Sequence, residues 1–588
     1  MAKQGNSSLT SPIDSTSVAM LRQLDQYEPD LTVPTATNID NIISGIAKDE
    51  KEIYEQALIN FVVKEHKTFD ICETQGATQD AQKREQLWKA LTNLAAKTDD
   101  NNLLVVVFTV FRILSRDKQS VSKLATPEWM DLMISHIGLN SQTFEYSDDT
   151  LCKIEEGQKV VWNVLFNSKK LVNESPNNGL LDKLLDRMSL YDKVRIPDAI
   201  KYYDAQFIFY LTTSSTDVRR VVEESNGLPL LITVLKVVLK EASESGPSSS
   251  LPVVLDNRKA DIACESLKAL FSITLTSSGR DEKVKQYREL VDILRSYLVA
   301  STASLDKTWQ LRRSCINMLV NIPAKCYRNL ITPVAQSTSL PKSLQFESHN
   351  MIIIHEILMF LEAHFMEKLP VTNQLEQFAP VLSVLLKGVT THRPIRKYLR
   401  TQILPPLTEM DKRPEETDTI RGHLCKLLTS PITQLRDLAA ELLFVLCKCN
   451  VNRMIKYTGF GNAAGLLAQK GLLGGKKDAA EADYSSGSED SETEEYTEQR
   501  HLLNPVLGCV DKPHPDPMAG MSDEQKEYEA VKLAQRIDEL SKSGIIQPCR
   551  VGSDGKPQPI KHILELQEGL TANNDDSNIF LLTGTSLL

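Results

Sequence analysis

The chain has 588 residues, of which 41% are hydrophobic and 24% charged, and its formal net charge is −10. This composition is typical of a globular protein with room for a large core or several domains, and the acidic balance argues against electrostatic binding of nucleic acid by the whole molecule. The N-terminus lacks the apolar region of a signal peptide, the ten cysteines include no CxxC, and the longest apolar run, 103–111, is about half of a bilayer span. We therefore expect a reduced, cytosolic protein without a membrane-inserted segment.

Periodicity divides the chain into a short tail and a long helical region. Residues 1–37 are rich in Ser, Thr and Pro and lack periodicity, which predicts a disordered tail. From 38 to 475 the apolar residues follow a helical period, and turn clusters separate the segments. The predicted class is all-α.

A short pattern recurs five times in this region. It consists of apolar residues around one variable position, followed by a polar run, as in TVFRILSRD (109–117) and VVWNVLFNS (160–168). The variable position is occupied in turn by Arg112, Asn163, Tyr210, Ser272 and Asn321. Repeats of this length are typical of armadillo and HEAT units, which bury a continuous core only by stacking. We predict an armadillo/HEAT-like α-solenoid.

The polar residues at the variable position have two interpretations. On the inner helices of a solenoid, Asn163 and Asn321 would reach the backbone of a bound peptide in the concave groove. Alternatively, each amide satisfies a nearby backbone group of the protein itself. Recurrence at one register favours the peptide-binding ladder.

The segment YTGFGNAAGLLA (457–468) has the glycine spacing of a dinucleotide-binding loop. That motif needs a preceding strand and a βαβ unit, whereas the preceding segment here has a helical period. We therefore predict that Gly459 and Gly461 allow two helices to approach closely. The sequence also lacks a Walker A motif, HExxH, GxSxG and any metal-ligating cluster. We expect a binding protein without a cofactor or a bound metal, and not an enzyme.

Residues 476–500 form an acidic linker whose core, 481–498, contains eight acids and no base. Ser486 and Ser491 each have a glutamate three residues later, which is the pattern of casein-kinase-2-type phosphorylation. The linker is thus either a phosphorylated segment that docks on basic helices or an unmodified solubilising one. The remaining segments are a Pro-rich stretch with a helix at 522–543, together 501–550, and a disordered tail at 551–588.

The predicted helix at 522–543 begins with a capping box formed by Ser522 and Gln525. It carries an apolar stripe that folds back on the solenoid or binds a partner. The stripe comprises Tyr528, Val531, Ala534, Ile537 and Leu540.

Two basic clusters interrupt the acidic surface. Arg112 and Arg116 are four residues apart on one helix face, and Arg393, Arg396 and Lys397 lie within THRPIRKYLR. Each cluster is either a solvated helix face or a site for an acidic ligand. Arginine binds a carboxylate, such as the C-terminus of a peptide, through two hydrogen bonds.

Several segments resemble the synembryn (Ric-8, resistance to inhibitors of cholinesterase) family over about 38–550. These are FRILSRD, HRPIRKYLRTQILPPL, AAELLFVLCKCNVNRMIKYTGFGNAAGLLA, NPVLGCVDKPHPDPMAGMSDEQKEYEAVKL and GIIQP. The resemblance implies a solenoid that acts as a guanine-nucleotide exchange factor and folding chaperone for G-protein α subunits (Gα) not held by βγ. It also implies that the Gα C-terminal helix lies in the groove, and that the protein is a cytoplasmic monomer recruited to the cell cortex and plasma membrane through Gα.

The family's functional positions map onto this chain residue by residue. Its groove residues fall on Arg112, Arg116, Asn163, Arg393, Arg396 and Lys397, with Asn321 as a further asparagine of the same register. Its tail helix, here 522–543, is held to contact Gα, and its phosphoacceptors fall on Ser486 and Ser491, with Ser488 as the alternative first site. Ser272 stands where some relatives carry asparagine.

A different interpretation of the same sequence is an armadillo-type scaffold or transport adaptor that binds linear peptides without exchange activity.

Overall fold

The computed structural model describes residues 13, 18–19, 39–67, 77–141, 145–245, 252–275, 282–334, 341–367, 369–473, 493–510 and 518–560. The chain divides into two compact units, residues 1–329 and 330–588. Each unit is a stack of α-helices, so the predicted all-α class is confirmed.

The first unit contains helices α1 to α15 and one pair of short parallel strands. In chain order the helices α1–α8 are Ile39–Lys48, Lys51–Glu65, Ala77–Lys97, Asn101–Leu114, Val121–Leu124, Pro127–His136, Asp148–Asn167 and Lys169–Glu174. The helices α9–α15 are Leu180–Met188, Asp198–Ser214, Thr216–Glu224, Gly227–Ser245, Asn257–Thr274, Val284–Val299 and Leu305–Asn321. The strands β1 (Val254–Leu255) and β2 (Ser301–Thr302) precede α13 and α15.

Five helices of this unit, α4, α7, α10, α13 and α15, pack in succession as one row. Each of the five recurring sequence patterns lies at the C-terminal end of one of them. Asp100, Ser147, Asp256 and Ser304 cap the N-termini of α4, α7, α13 and α15, because a short polar side chain satisfies amides that have no partner within the helix. The repeat read from the sequence is therefore a repeat of packed helices, as in armadillo and HEAT folds.

The second unit begins with a small sheet and continues with helices α16 to α22. The sheet has the order β3–β5–β4 and is antiparallel, with β3 at Thr332–Pro333, β4 at Gln345–Phe346 and β5 at His349–Asn350. The helices are Ile352–Phe365, Val371–Thr391, Arg393–Ile403, Ile420–Leu428, Thr433–Leu446, Val451–Thr458 and Phe460–Lys470. Short 3-10 turns occur in both units, at Ala324–Leu330, Lys342–Leu344, Pro414–Glu416 and Arg500–Leu502.

Residues 493–510 pack on the second unit, and we call this segment the strap. It contains α23 (Glu494–Gln499) and a hairpin of β6 (Leu503–Asn504) and β7 (Cys509–Val510). Tyr496 is buried against Leu407 and Met410, and the Val510 amide donates to the Met410 carbonyl. The last residues of the predicted acidic linker, 493–500, are therefore not a solvated segment, because Tyr496 is buried against the loop that follows α18.

The glycines of the dinucleotide-like segment lie where the strap packs against the start of α22. Gly459, with φ 75° and ψ 150°, separates α21 from α22, and a Cβ there would lie 2.9 Å from the Val506 carbonyl oxygen. The amides of Phe460 and Gly461 donate to the carbonyls of Pro505 and Val506. The close approach is thus made by a loop, not by a second helix as the sequence suggested. A preceding strand is also absent, since α20 and α21 lead into this segment.

The tail helix α24 spans Asp523–Lys542, within the predicted 522–543, and Ser522 and Gln525 form the expected capping box. None of its residues is buried. After it, β8 (Cys549–Val551) and β9 (Pro557–Pro559) form a hairpin, and the Leu473 amide donates to the Gly555 carbonyl. The prediction of disorder from 551 is wrong for residues 551–560, because the turn at Gly555 docks where α22 ends.

The prediction of a disordered tail over 1–37 is wrong for at least two residues. Ile13 and Val18 are buried, and the Ile13 amide donates to the Glu55 carboxylate over 3.2 Å. Two isolated apolar residues give no periodic signal in the sequence, so only the tertiary structure shows their burial. The predicted phosphorylation sites Ser486, Ser488 and Ser491 lie outside the described residues.

Candidate functional site

The predicted groove residues of the first unit lie along the row of helices α4, α7, α10, α13 and α15. The Arg112 Nε donates to Glu156 Oε1 over 2.6 Å, and Lys159 Nζ lies 3.1 Å from the other carboxylate oxygen. Burial by itself would raise the pKa of Glu156, but the two cations hold that pKa below its usual value. A buried carboxylate thus fixes two cations whose side chains are each 31% exposed.

Arg116 does not join the cations that contact the Glu156 carboxylate. Its guanidinium donates to the backbone carbonyls of Glu65 and His66, over 3.3 Å and 2.9 Å, at the end of α2. Arg116 therefore closes the C-terminus of a neighbouring helix, where carbonyls lack partners within the helix.

Three of the five variable positions, Asn163, Tyr210 and Asn321, bond to the preceding helix of the row. The Asn163 amide lies 3.4 Å from the Arg112 carbonyl, and the Asn321 amide donates to the Phe271 carbonyl over 3.0 Å. Each bond joins the end of one helix in the row to the end of the preceding one. Asn167 and Tyr210 add two further bonds of this kind, to Ser115 and Phe166. At these three positions the polar residue therefore caps the preceding helix end, which is the local interpretation that the sequence left open.

The side-chain amide nitrogen of Asn321 donates two hydrogen bonds within the protein. Its amide also donates to Thr274 Oγ1 over 3.0 Å, and the residue is only 7% exposed. A bound peptide cannot use this amide without breaking the cap, so the structure argues against Asn321 as a groove contact. Ser272 makes no such bond, because its buried Oγ has no hydrogen-bond partner among the described residues.

Exposed aromatic side chains follow the cations along the same helices. Phe166 is 58% exposed at the end of α7 and lies beside Tyr210 of α10, with ring centroids 5.7 Å apart. Trp162 packs on Tyr210 at 5.1 Å. We call Arg112, Lys159, Asn163, Phe166 and Tyr210 the α7 strip. Lys159, Phe166 and Tyr210 were not predicted as contact residues, although Phe166 and Tyr210 lie within the recurring patterns.

The second basic cluster lies on α18 in the second unit, and Pro394 occupies its first turn as expected. Lys397 Nζ donates to Glu347 Oε1 over 2.8 Å, and Arg393 lies 3.7 Å from the other oxygen of the same carboxylate. Arg396 turns elsewhere, because its Nη1 donates to the Val389 carbonyl at the end of α17. Arg393 and Lys397 therefore converge on one carboxylate, whereas Arg396 bonds a backbone carbonyl.

The predicted apolar stripe of α24 winds around the helix. Tyr528 and Ile537 are nine residues apart, which at about 100° per residue places them on opposite faces. Tyr528 and Val531 are 67% and 53% exposed. Leu533, which is 53% exposed, joins Ile537 and Leu540 at spacings of four and three, a better match to one face.

The described residues offer no metal site and no membrane-spanning helix. They contain no group of three or more His, Cys, Asp or Glu side chains that could hold a metal ion. Within the same ranges, none of the helices is both long and apolar enough to cross a membrane.

Comparison with known proteins gives the family. The family described as "Guanine nucleotide exchange factor synembryn" matches residues 107–556. "Chaperone Ric-8A" of Gallus gallus is 34% identical over 505 residues, which are 83% of this chain and 90% of that protein. The protein of the same name from Danio rerio is 35% identical over 527 residues, 86% of this chain and 93% of that protein. Among solved structures, the SYS-1/POP-1 complex aligns with a TM-score of 0.46 and 14% identity, over 78% of this chain and 70% of that chain. The match to the family and to these relatives over most of their length shows that the chain belongs to the synembryn (Ric-8) family.

Proposed function

We propose that the protein is a guanine-nucleotide exchange factor and folding chaperone for Gα subunits that are GDP-bound or nucleotide-free and not bound to βγ. The family membership supports this function, because the family is described as a guanine nucleotide exchange factor and the relatives as chaperones. In this proposal the C-terminal helix of Gα binds along the helical repeats, GDP leaves, and the empty Gα stays bound until GTP enters.

The α7 strip is the observation that carries the binding mode. Arg112 and Lys159 supply partly exposed positive charge, and Phe166 and Tyr210 supply aromatic surface a few helical turns away. An amphipathic helix that ends in a carboxylate needs both, since its charge pairs with the cations and its apolar face covers the rings. Asn163 lies between the two groups and is partly exposed.

Exchange requires no covalent step by this protein. If the protein prefers empty Gα, thermodynamic linkage requires that its binding weakens GDP by the same factor. A hundredfold coupling corresponds to about 2.7 kcal/mol, which is small beside the interaction energy of a buried helix. Chaperone action follows from the same preference, because the protein stabilises a Gα state that otherwise exposes apolar surface.

The proposed function also includes a role for the tail helix, phosphorylation of the linker and a location in the cell. Helix α24 contacts Gα, and a casein-kinase-2-type enzyme phosphorylates Ser486 or Ser488 together with Ser491. The protein acts as a cytoplasmic monomer that Gα recruits to the cell cortex and plasma membrane. The exposure of the apolar residues of α24 supports the first of these parts, because an unburied apolar face favours a partner.

The test is nucleotide release from a panel of purified, GDP-loaded Gα subunits. We expect faster GDP release with at least one Gα class and a stable complex with Gα after GDP has been removed. Binding of a Gα C-terminal peptide without faster release from any class would favour the alternative, an armadillo-type peptide-binding adaptor. Absence of both binding and release would contradict both functions.

A further inference from the structure

Two pairs of exposed cations lie on either side of the contact between α14 and the 3-10 turn Ala324–Leu330. Lys285 and Arg288 are exposed on α14, three residues apart and therefore on one helix face. Lys325 and Arg328 are exposed on the turn and are also three residues apart, which places them in line because a 3-10 helix has three residues per turn. We call these four residues the basic seam.

The 3-10 turn runs along α14, so the two pairs are neighbours in space. Cys326 Sγ lies 3.9 Å from the Val284 carbonyl oxygen, and Asn329 Nδ2 donates to Asp292 Oδ1 over 3.5 Å. Val284 and Asp292 are eight residues apart on α14, and Arg288 lies midway between them on the same side of the helix. The contact is therefore about 12 Å long, because an α-helix rises by about 1.5 Å per residue.

The buried thiol at this contact lies close to a cation from each pair. Burial raises the pKa of the Cys326 thiol, and the positive charges of Arg288 and Lys325 both act against that rise. One cation of α14 and one of the turn thus lie near the same buried atom, so the two pairs form one patch.

Within the part of the chain that the structure describes, the acids of α14 pair with cations outside the seam. Glu289 and Asp292 form ion pairs with Lys236 and Arg295. Glu282 is exposed just before α14 and supplies a single negative charge. The four cations of the seam therefore make a positive patch on a chain whose formal net charge is −10.

An extended anionic surface fits the seam better than a single phosphate or a nucleic-acid duplex. A site for one phosphate holds the anion among several donors fixed in a concavity, whereas the seam cations stand exposed on two helical elements. A duplex-binding protein contacts about six to ten phosphates, more than a patch about 12 Å long supplies. A bilayer with anionic lipids attracts each nearby lysine or arginine separately, so a short patch is sufficient.

We propose that the basic seam is a membrane-contact surface, which binds the anionic phospholipid headgroups of a bilayer electrostatically and without insertion of the chain. Each cation near such a surface contributes roughly fivefold to binding, and arginine can bind a phosphate through two hydrogen bonds. The attraction falls off within a Debye length, about 8 Å at physiological salt, so only side chains that face the bilayer contribute.

This inference goes beyond the proposed function, in which Gα alone brings the protein to the plasma membrane. Helix α14 packs on α12 and α15 and is not one of the five helices in the row that carries the α7 strip. A bilayer at the seam and a Gα helix along the row therefore contact different helices. The seam gives the protein a membrane contact of its own, which orients it on the surface.

The test is flotation of the full chain with vesicles, in the absence of Gα. One set of vesicles contains phosphatidylcholine alone, and the other contains an equimolar mixture of phosphatidylcholine and phosphatidylserine. We expect the natural chain to bind the mixed vesicles, to dissociate as the salt concentration rises, and not to bind phosphatidylcholine alone, because the attraction is electrostatic.

Two double variants each remove half of the seam. Lys285→Gln with Arg288→Gln removes the pair on α14, and Lys325→Gln with Arg328→Gln removes the pair on the turn. Each should lower the partition onto mixed vesicles by roughly 25-fold, at about fivefold per cation. The melting temperature should change little, because substitutions of exposed side chains usually have small effects on stability.

Lys193→Gln with Arg195→Gln is the matched control. Both residues are exposed in the first unit, lie outside the seam, and change the net charge by the same amount when they are replaced. The control should bind the mixed vesicles as the natural chain does.

Four results would overturn the inference. The first is equal binding to both kinds of vesicle, or to neither. The second is the same loss in the control, which would show a general effect of net charge. The third is displacement from the vesicles by soluble glycerophosphoserine at constant ionic strength, which would indicate a site for a single anion. The fourth is tighter binding to duplex DNA than to mixed vesicles with the same loss in the seam variants, which would assign the seam to nucleic acid.

The outcome of the vesicle test is independent of the proposed exchange activity. No Gα is present in the flotation assay, and nucleotide release from purified Gα requires no bilayer. Failure of the seam variants to lose vesicle binding would therefore contradict the membrane contact and leave the exchange function standing.

Discussion

Arg112 Nε donates to Glu156 Oε1 over 2.6 Å, and Glu156 is buried while Arg112 is partly exposed. Arg112 therefore has a structural partner on one side and solvent on the other. Arg112→Ala should lower the free energy of unfolding by roughly 1–3 kcal/mol, because Glu156 loses one of its two cations. It should also weaken Gα binding. Urea denaturation and a Gα binding assay measure the two effects.

The double variant Arg112→Ala with Glu156→Gln separates the effect on stability from the effect on Gα binding. Removing the buried charge should restore most of the stability lost in Arg112→Ala, but it cannot replace the cation on the α7 strip. If Gα binding recovers together with stability, Arg112 contributes only to the fold.

Asn321 and Asn163 occupy the same register but should differ in effect. Asn321→Ala removes two 3.0 Å bonds in a buried setting, so we expect a loss of roughly 1–3 kcal/mol in unfolding free energy. Asn163→Ala removes one 3.4 Å contact of a partly exposed side chain, so its stability cost should be smaller and its effect on Gα affinity larger. The opposite order in denaturation and binding measurements would contradict the assignment of Asn321 as an internal cap.

Charge reversal on α18 should weaken the Gα complex. Arg393→Glu with Arg396→Glu should lower the affinity for Gα without changing the helical circular dichroism signal. A stability loss of about 1 kcal/mol is expected, since the Val389 carbonyl loses the Arg396 donor. Arg436→Glu serves as the control, because Arg436 is another exposed arginine of this unit and pairs with the adjacent Asp437. Unchanged affinity in the double variant would remove α18 from the binding mechanism.

Two truncations separate the strap from the tail helix. A chain that ends after residue 519 keeps the strap but loses α24 and the β8–β9 hairpin, whose Gly555 carbonyl accepts from the Leu473 amide. It should keep the helical stack and lose most of its exchange activity if α24 contacts Gα. A chain that ends after residue 500 also loses the loop that binds the Phe460 and Gly461 amides, so its melting temperature should fall as well. Full exchange activity of the chain that ends after 519 would exclude α24 from the mechanism.

Gly459→Ala should release the strap. The residue has φ 75° and ψ 150°, a region open essentially to glycine alone, and its Cβ would lie 2.9 Å from the Val506 carbonyl oxygen. We expect a loss of at least about 1–3 kcal/mol in unfolding free energy and faster proteolysis within 500–510. Gly465→Ala is the control, because nothing lies within 4 Å of a Cβ at that position. Equal behaviour of the two variants would contradict the role assigned to Gly459.

Several parts of the structure could be predicted from the local sequence pattern alone. The five variable positions fall at equivalent places on the row of helices, because a repeat in sequence produces a repeat in packing. The capping box at Ser522 and the first-turn position of Pro394 also depend only on neighbouring residues. Resemblance to the synembryn family supplied what the pattern did not, namely the Gα partner.

Other parts depended on residues far apart in the chain. Glu347 lies fifty residues before Lys397, and the sequence gives no sign that a hairpin turns its carboxylate onto α18. Arg116 is assigned to backbone carbonyls rather than to a ligand only once α2 is in place. The strap packs on the second unit partly through Tyr496, a buried tyrosine within an acidic run that composition alone predicts to be solvated.

The sequence by itself determined the helical class, the repeat and the family, because period, caps and motifs are properties of contiguous residues. The tertiary structure decided which polar side chains are already satisfied and which remain exposed. Asn321 and Asn163 look identical in sequence, yet one is buried between two helix ends and the other is partly exposed. The physical reason is that burial and hydrogen-bond satisfaction depend on neighbours about 50 residues away, whose positions only packing sets.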